Sequence, residues 1–526
     1  MKILVTDDLE QGGVDILLHE GFDVDTRRSV PLDELKRIIP SYDALVVRSA
    51  TQVSADVIAA ASTMKVIGRA GTGVDNINVD EATRRGILVM NTPGGNTISA
   101  AEHTVSMMLS LARNIPQAHM SLASGKWNRK KYIGTEVFEK TIGIVGLGKI
   151  GREVALRCQG LGMKVVGYDP ILANEVALKL KIELLSLDEL FRRSDFISLH
   201  TPLNDETRGL LNDDSLARCK HGVRVINCAR GGIIAEDALL RALQSGRVAG
   251  AALDVFEKEP PIGSPLLVHE RVIATPHLGA STEEAQAKVA TQIAHQIADA
   301  LRGRAFVGVV NSSALQLTMK QEVRPFVTLA EKMGSLVVQM TAGKVRRVQI
   351  GTWGELVTSS IDLLKAGVLK GILSRVLPDP VNYINAPFLA EEMGLAVVDQ
   401  LESDGDSFTN LLRVRYETDR GVKEVAGTVF GASSIRLVKM DGFRFEVKPD
   451  GYLLIYNNED KPGMLARVGG VLAKYGVNIA GVSLGRTGIG ANALTVMNID
   501  SDIPRAGMAE LLEQEGVTNL RVINLA

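Results

Sequence analysis

Several features are scarce or missing in this 526-residue chain, and each absence excludes a class of protein. The three cysteines (Cys158, Cys219, Cys228) have no metal-ligand spacing and are too few for a disulfide framework, which fits a reducing compartment. A formal net charge of −2 gives no general reason to bind nucleic acid or an anionic membrane. No apolar run approaches the roughly 18–20 residues that a membrane span needs. We therefore expect a cytoplasmic protein without a metal, nucleic-acid or membrane partner.

The start of the chain gives the same indication. MKILVTDDLE predicts a strand followed directly by acidic residues, which is not the pattern of a secretory signal. The length predicts about three or four domains, because a single hydrophobic core stops growing well below 526 residues.

The first 310 residues alternate short β-branched runs with amphipathic stretches, in two successive series. This alternation predicts two doubly wound parallel-sheet domains, a substrate domain and a Rossmann-type cofactor domain. A long helical stretch from about Ser99 to Ser124 is expected to join them. Another, from Thr282 to Arg302, is expected to carry the chain back to the first domain.

The rest of the chain has a different pattern. After about Asn311, helices mix with strand pairs, which predicts an α+β domain, and the last 75 residues read β-α-β-β-α-β, the order of a ferredoxin-like sheet. The predicted domains are a substrate domain (1–97 and 292–312), a cofactor domain (98–291), a regulatory domain (313–451) and a terminal ferredoxin-like domain (452–526).

The stretch KTIGIVGLGKIG predicts a dinucleotide-binding turn. Gly146 permits a tight turn after a strand, Gly148 lets the backbone approach a pyrophosphate, and Gly151 lets the following helix pack closely. Asp169, at the end of the next strand, can accept hydrogen bonds from ribose hydroxyls and would repel a 2′-phosphate. A tight packing corner is the alternative for the glycines alone. The ordered strand, glycines, helix and acid favour NAD over NADP.

The later strands of this domain end in residues suited to acid–base chemistry. Oxidation of an alcohol needs a base near neutrality, usually histidine, and His277 and His200 are both candidates. Glu259 could fix the tautomer of such a histidine, and Arg230 could hold a substrate carboxylate in a bidentate contact. Each of these residues could also be a structural loop residue. The spacing alone leaves both interpretations open.

Four motifs resemble one family in their order. GLGKIG, NCARGG, EKEPP and PHLGA are similar to those of the D-isomer-specific 2-hydroxyacid dehydrogenases, over about the first 310 residues. The resemblance implies that Arg230 orients the substrate, that His277 is the acid/base and that Glu259 tunes His277. The candidate NAD-binding residues are Thr72, Gly146, Gly148, Lys149, Ile150, Gly151, Asp169, Thr201, Cys228, Ala229, Arg230, Asp254, His277, Gly279 and Ala280.

Basic residues at strand ends of the first domain point to the substrate. Arg48 and Arg69, with nearby backbone amides, would suit a molecule that carries a phosphate and a carboxylate, although surface arginines also form plain ion pairs. VVRSAT, RAGTGVDNI and NTPGGNTISAAEH resemble the family members that oxidise D-3-phosphoglycerate, the step that opens the phosphorylated route to serine. The candidate substrate-binding residues are Arg48, Arg69, Gly71, Thr72 and Arg129.

The C-terminal regions are expected to regulate the enzyme. The last domain resembles ACT domains, which commonly pair and bind an amino acid where two copies meet. Asp460 could hold an ammonium group, Asn478 could donate and accept, and the helix start after Gly463 could meet a carboxylate, so L-serine is the expected effector. A dimerisation module without a ligand is the alternative. We expect a homodimer or a homotetramer.

The regulatory domain carries a run of basic residues on a predicted strand pair, which predicts a site for a small anion. A solvated basic edge that discourages strand pairing is an equal alternative. The run comprises Arg436, Lys439, Arg444 and Lys448.

Two other functions remain open from the sequence. One is another D-2-hydroxyacid dehydrogenase, such as a glyoxylate or D-lactate enzyme, although those lack two C-terminal domains. The other is an NAD-sensing binding protein with a dehydrogenase fold, which would need partner-binding grooves or disordered tails that the sequence does not show.

Overall fold

The computed structural model describes residues 1–312, 321–341, 343, 345–378, 380–419 and 421–525. Its first sheet has five parallel strands in the order β2-β1-β3-β4-β5. The elements of this region are β1 (Lys2–Thr6), α1 (Gln11–His19), β2 (Asp23–Arg27), α2 (Leu32–Ile38), β3 (Ala44–Val47), α3 (Ala55–Ala60), β4 (Val66–Arg69), α4 (Val79–Arg84) and β5 (Leu88–Met90).

The second sheet has seven parallel strands in the order β12-β11-β10-β9-β6-β7-β8. The strand order reverses between β6 and β9, which is where doubly wound sheets bind dinucleotides. Its elements are α5 (Thr97–Arg113), α6 (Ile115–Ala123), β6 (Thr141–Val145), α7 (Lys149–Gly160), β7 (Lys164–Tyr168), α8 (Asn174–Lys179), β8 (Glu183–Leu184), α9 (Leu187–Arg193), β9 (Phe196–Leu199), α10 (Asp213–Arg218), β10 (Val223–Asn227), α11 (Glu236–Gln244), β11 (Val248–Leu253), β12 (Val272–Ala274) and α12 (Glu283–Leu301).

Helices α5 and α12 connect the two sheets. The predicted helical stretch after Ser99 is two helices, because Asn114 adopts a left-handed conformation (φ 54°) and Pro116 lacks an amide proton. Helix α12 returns to the first sheet, where Ile293 and Ile297 pack over Gly68. Two helices therefore join the two parallel-sheet domains, which face each other across a cleft where Arg230 of the second domain lies 3.1 Å from Asp75 of the first.

A third sheet of six strands follows, in the order β14-β13-β15-β16-β17-β18, in which the β13–β14 pair is parallel and the other pairs are antiparallel. Leu329 of its first helix packs against β16 at Gly427. The elements are α13 (Arg324–Met340), β13 (Arg347–Trp353), α14 (Glu355–Thr358), α15 (Ile361–Leu373), α16 (Asn385–Glu392), β14 (Ala396–Leu401), β15 (Leu411–Thr418), β16 (Gly421–Phe430), β17 (Ser434–Met440) and β18 (Phe443–Val447).

The last unit is an antiparallel sheet of order β20-β21-β19-β22 with two helices on one face. Its other face packs into the core that the third sheet shares. The elements are β19 (Tyr452–Glu459), α17 (Met464–Lys474), β20 (Ile479–Arg486), β21 (Asn492–Ile499), α18 (Arg505–Leu512) and β22 (Val517–Asn524).

The predicted fold class is confirmed: two doubly wound parallel-sheet domains, an α+β domain and a ferredoxin-like domain. The exact domain boundaries stay a prediction, and the one at residue 313 lies outside the described residues. Across the described ranges, no helix combines the length and the hydropathy of a membrane-spanning segment.

Candidate active site

The glycine turn between β6 and α7 has a distinct reason for each glycine. Gly146 has a φ of 92°, a conformation that disfavours side chains. A Cβ at Gly151 would overlap the carbonyl oxygen of Gly146, so helix and strand approach only with glycine there. A Cβ at Gly148 would meet no heavy atom within 4 Å. The turn therefore leaves open space beside its second glycine, as a bound pyrophosphate requires.

Asp169 follows β7 and lies beside this turn. Its Oδ2 accepts a hydrogen bond from the amide of Leu147 (2.8 Å), and its Oδ1 accepts from Ile171 (2.9 Å) and Leu172 (3.0 Å). Burial acts to raise the pKa of Asp169, but these amides outweigh it and the pKa is lowered. The carboxylate is thus ionised and fixed next to Gly146. The sequence did not predict that it also braces the turn.

The surroundings of the turn fit a dinucleotide. The hydroxyl oxygen of Thr201 is buried, and no hydrogen-bond partner is present for it in the described part of the chain. A cavity of about 420 Å³ at the start of α7 is lined by three cations, Lys149, Arg152 and Lys288, and by one acid, Glu153. Donors, positive charge and free space are what a diphosphate-linked cofactor needs.

Removing the charge of Asp169 tests cofactor choice. We expect Asp169→Asn, which keeps an acceptor beside the backbone amides, to raise the NADP/NAD ratio of kcat/KM by roughly tenfold or more, since repulsion of the 2′-phosphate is lost. Asp169→Ala removes the brace as well and should also weaken NAD binding. An unchanged ratio in the asparagine variant would count against Asp169 as the ribose contact.

The structure brings His277 and Glu259 together on the cleft side of the second sheet. His277 Nδ1 lies 2.8 Å from Glu259 Oε2. The hydrogen bond that the imidazole donates to Glu259 raises the pKa of His277, although burial opposes it. Burial acts to raise the pKa of Glu259, but the bonds from His277 and from the amide of Phe256 outweigh it and lower that pKa. The pair therefore favours a protonated imidazole beside an ionised carboxylate.

Asp254 holds the loop that carries His277. Its side chain is fully buried and accepts hydrogen bonds from the hydroxyl of Thr275 (2.6 Å) and the amides of Leu278 (2.7 Å) and Gly279 (2.9 Å). The Asp254 carbonyl accepts from the His277 amide at 2.9 Å. We predicted Asp254 as a cofactor residue, and the sequence did not reveal this support of the loop.

Arg230 projects from the loop after β10, where Asn227 fixes the turn. Asn227 Nδ2 donates to the Arg230 carbonyl (2.8 Å), and its Oδ1 accepts from the Ala229 amide (3.0 Å). Across the cleft, Arg230 Nε lies 3.1 Å from Asp75 Oδ2 of the first domain. Asp75 was missed by the sequence reasoning, because only the closed arrangement of two domains makes it a neighbour of Arg230.

His200, the rival base, lies behind the glycine turn. Burial lowers the pKa of His200 to about 4, and its Nε2 lies 2.8 Å from the hydroxyl of Ser198. A Cβ at Gly146 would meet the His200 carbonyl. A neutral imidazole at neutral pH that lines the turn is poorly suited to be the base, which favours His277.

The two arginines of the first domain lie side by side. Arg69 Nε donates to the Arg48 carbonyl (3.4 Å), and Arg69 also donates to the Gly73 carbonyl. Burial lowers the pKa of Arg69, and the nearby Arg230 and Arg48 act in the same direction. A Cβ at Gly73 would overlap the guanidinium of Arg230. Three cationic groups therefore converge at this edge of the cleft.

Two further candidate substrate residues lie near Arg69, and one does not. The Gly71 carbonyl accepts from the Thr92 amide (3.0 Å), and the Thr72 hydroxyl donates to Asn96 Oδ1 (2.7 Å). Arg129 belongs to a 3₁₀ turn (Arg129–Tyr132) and lines a separate small cavity with residues of α6. Its predicted substrate contact stays a prediction.

The effector candidates of the last domain both have partners within the chain. Asp460 Oδ2 lies 3.0 Å from Arg486 Nη1, and Asn478 Nδ2 donates to Asp500 Oδ2 (2.7 Å). They flank opposite ends of α17, an 11-residue helix that spans about 16 Å. One amino acid therefore cannot touch both residues of one chain.

The basic run of the regulatory domain is paired with acids. Asp406 lies within 3.3 Å of both Lys439 and Arg444, so the charges at this edge are largely balanced. The remaining pairs are Arg436–Glu446 (3.2 Å) and Lys448–Asp450 (3.0 Å).

Together, the strand order, the glycine turn and the His277–Glu259–Arg230 group define an NAD-dependent dehydrogenase. Models of known families match accordingly: D-isomer specific 2-hydroxyacid dehydrogenase, NAD binding domain (residues 105–279), D-3-phosphoglycerate dehydrogenase intervening domain (322–441) and ACT domain (452–516). These matches confirm the predicted NAD cofactor, the dehydrogenase class and the ACT domain.

Curated relatives match over the whole chain. D-3-phosphoglycerate dehydrogenase of Methanocaldococcus jannaschii is 41% identical over 100% of both chains, and that of Synechocystis sp. is 41% identical over 100% of this chain and 95% of the relative. The structure of D-lactate dehydrogenase from Aquifex aeolicus, complexed with NAD and lactic acid, is 26% identical with a TM-score of 0.51, covering 57% of this chain and 96% of that one. The chain therefore belongs to the D-3-phosphoglycerate dehydrogenase family.

Proposed function

We propose that this enzyme oxidises D-3-phosphoglycerate to 3-phosphohydroxypyruvate with NAD, the first step of the phosphorylated route to L-serine. The observation that carries the proposal is the convergence of Arg48, Arg69 and Arg230 at the cleft edge that also holds His277 and Glu259. One guanidinium can hold the carboxylate next to the reacting carbon, while the others hold the phosphate.

Bound NAD supplies the acceptor for the hydride, and the chain supplies the proton chemistry and the positioning. His277 Nδ1 is taken by Glu259, so Nε2 is the nitrogen that accepts the proton of the substrate hydroxyl. Ionised Glu259 stabilises the imidazolium that forms, and Arg230 orients the carboxylate. The proposal also includes NAD contacts from the other predicted cofactor residues. The domain boundaries given above are part of it as well.

The raised pKa of His277 fixes the sign of the pH dependence. Oxidation needs neutral His277, so kcat/KM in that direction rises as the pH passes above the His277 pKa. Reduction needs the imidazolium and declines over the same interval.

Arg48 offers a test of the phosphate contact, because its hydrogen bonds to Asp7, Arg69 and Asn76 are made by its backbone amide and carbonyl and not by its guanidinium. We expect Arg48→Gln to lower kcat/KM for 3-phosphohydroxypyruvate by roughly 10- to 100-fold, the usual size of a hydrogen bond to a charged group. With 3-hydroxypyruvate, which lacks the phosphate, kcat/KM should change less than about twofold. The matched control is Arg28→Gln, an exposed arginine of the same domain that pairs with Asp8. Equal losses with both substrates would remove Arg48 from the phosphate site.

The surface after α5 supports a homo-oligomer, as a dimer or tetramer. This segment exposes a group of large apolar side chains, which monomeric proteins rarely expose together. They are Ile115, Met120, Leu122, Trp127 and Ile133.

A cytoplasmic location is also part of the proposal and is supported by three free cysteines, two of them buried.

We further propose that L-serine binds between two ACT domains. Because Asp460 and Asn478 lie at opposite ends of α17, one serine meets both only when one residue comes from each of two chains. Inhibition follows if serine prefers one arrangement of the paired domains, since only differential affinity shifts an equilibrium.

The effector proposal predicts separable effects on regulation and catalysis. We expect Asp460→Ala and Asn478→Ala each to abolish inhibition by millimolar serine while kcat at saturating substrate stays nearly unchanged. Asp502→Ala, an acid of the same domain that contacts its neighbouring amide, is the control and should keep the inhibition. If calorimetry detects no serine binding to the wild type and turnover is unaffected, the ACT domain here is a dimerisation module.

A further inference from the structure

His103 of helix α5 contacts the buried carboxylate behind the loop that carries His277. His103 Nε2 lies 3.2 Å from Asp254 Oδ1 and 3.2 Å from Thr275 Oγ1. The Thr275 hydroxyl donates to the same carboxylate oxygen. An ionised carboxylate without solvent is stable only with several donors, and His103 adds one from a different element of the domain.

Asp254 holds the backbone of the loop that carries His277. Asp254 holds the amides of Leu278 and Gly279 through its side chain and that of His277 through its carbonyl. His277 itself adopts a left-handed backbone conformation (φ 56°). A non-glycine residue keeps such a conformation only where the surrounding structure holds it.

Helix α5 reaches both halves of the cleft. Asn96, the residue before its first turn, accepts a hydrogen bond from Thr72 of the substrate-domain loop (2.7 Å). Two turns later the same helix contacts Asp254 through His103. A rigid helix thus connects the loop after β4 with the loop that carries His277.

We propose that His103 is a positioning residue of the reaction, which acts through Asp254 on the loop that carries His277. The proposal rests on the proposed function, in which His277 is the acid/base. Three charged groups act on the charge of His277: Glu259 and Asp254 favour the imidazolium, and Arg230 opposes it. Loss of the His103 donor leaves all three in the chain but loosens the loop. The contact between His277 and Glu259 weakens, and the pKa of His277 moves down toward its ordinary value.

The test compares His103→Phe, which keeps a ring but removes the donor, with His103→Gln, which keeps an amide donor. We expect the phenylalanine variant to lose roughly 10- to 100-fold in kcat, the size of effect that a displaced catalytic group produces. In this variant, the rise of kcat/KM for oxidation with pH should occur at lower pH, and the KM for the substrate should change little. The glutamine variant should keep most of the wild-type kcat, and its kcat/KM for oxidation should rise over the same pH range as in the wild type.

An activity-independent readout separates this proposal from the proposed function. NMR of labelled histidine in the substrate-free enzyme should show a lower His277 pKa in His103→Phe and a near-normal one in His103→Gln. A phenylalanine variant with wild-type kcat and an unmoved His277 titration overturns the proposal. So does an equal loss of rate and Tm in both variants without any shift in titration, which indicates a purely structural role. A wild-type enzyme that fails to use 3-phosphohydroxypyruvate contradicts the proposed function and leaves the titration result standing.

Discussion

The His277→Ala variant is expected to lose roughly 10²- to 10⁴-fold in kcat, the usual contribution of a general acid–base group. The physical reason is the geometry around its imidazole: Nδ1 is held by Glu259 at 2.8 Å, which leaves Nε2 to exchange the substrate proton. Binding of NADH, measured by fluorescence titration, should weaken far less than kcat declines, because alanine removes one predicted cofactor contact and leaves the glycine turn intact. Steady-state kinetics in both directions measure the loss.

Two companion variants show whether His277 is the base. Glu259→Gln should lose less kcat than His277→Ala. Its kcat/KM for oxidation should rise at lower pH than in the wild type, since the charge that raises the His277 pKa is gone. His200→Gln is the control for the rival histidine, and its kcat/KM for oxidation should rise over the same pH range as in the wild type. A near-normal kcat in His277→Ala, with a severe loss in His200→Gln, would transfer the role of base to His200.

Arg230→Gln is expected to produce the second large effect. Bound substrate would cover the contact between Arg230 and the carboxylate, and loss of one partner from a covered charge pair costs about 2–5 kcal/mol, so kcat/KM should decline roughly 30- to several-thousand-fold. The loss should include a higher substrate KM, because glutamine cannot hold a carboxylate with two parallel bonds. NADH affinity should decline far less than kcat/KM, since the substitution removes one predicted cofactor contact and leaves the pyrophosphate site at the glycine turn intact.

Asp75 provides the matched control for Arg230. Asp75 Oδ2 lies 3.1 Å from Arg230 Nε, and the Asp75 side chain is largely exposed. Asp75→Asn therefore removes a carboxylate that competes with the substrate carboxylate for Arg230. We expect an equal or lower KM in that variant. An Arg230→Gln enzyme that retains more than about a fifth of wild-type kcat/KM would show that another group orients the substrate, since that loss is under 1 kcal/mol.

The sequence was most informative where local chemistry dictates structure. Strands such as TIGIV are β-branched and nearly wholly buried, so their place in a two-sided parallel sheet follows from composition. The turn at Gly146 and Gly151 follows from sterics alone, because a Cβ at either position would overlap backbone. The β-α-β-β-α-β order of the last domain could likewise be read directly.

Contacts between distant segments could not be predicted in this way. Asp75 meets Arg230 only because two domains close on each other, and His103 meets Asp254 only because α5 crosses behind β11. The helical stretch predicted from about Ser99 to Ser124 is present, but the left-handed conformation of Asn114 divides it into two helices. A change of backbone conformation at one residue does not alter the periodic pattern of apolar residues from which helices are predicted.

Charge balance was also invisible in the sequence. The run that contains Lys439 and Arg444 suggests a free basic patch, yet both cations meet Asp406, which lies more than 30 residues away. This pairing favours a balanced sheet edge over an anion site in the regulatory domain. The predicted anion site stays a prediction.

The proposed activity is tested by the specificity constant of the wild-type enzyme for NADH-dependent reduction of 3-phosphohydroxypyruvate, measured beside glyoxylate and pyruvate under the same conditions. We expect kcat/KM for the phosphorylated substrate to exceed both others by at least roughly 100-fold, since a charged contact to the phosphate is worth about 1.5–3 kcal/mol and Arg48 and Arg69 supply two. Equal efficiency with glyoxylate or pyruvate would contradict the assignment of 3-phosphohydroxypyruvate as the substrate.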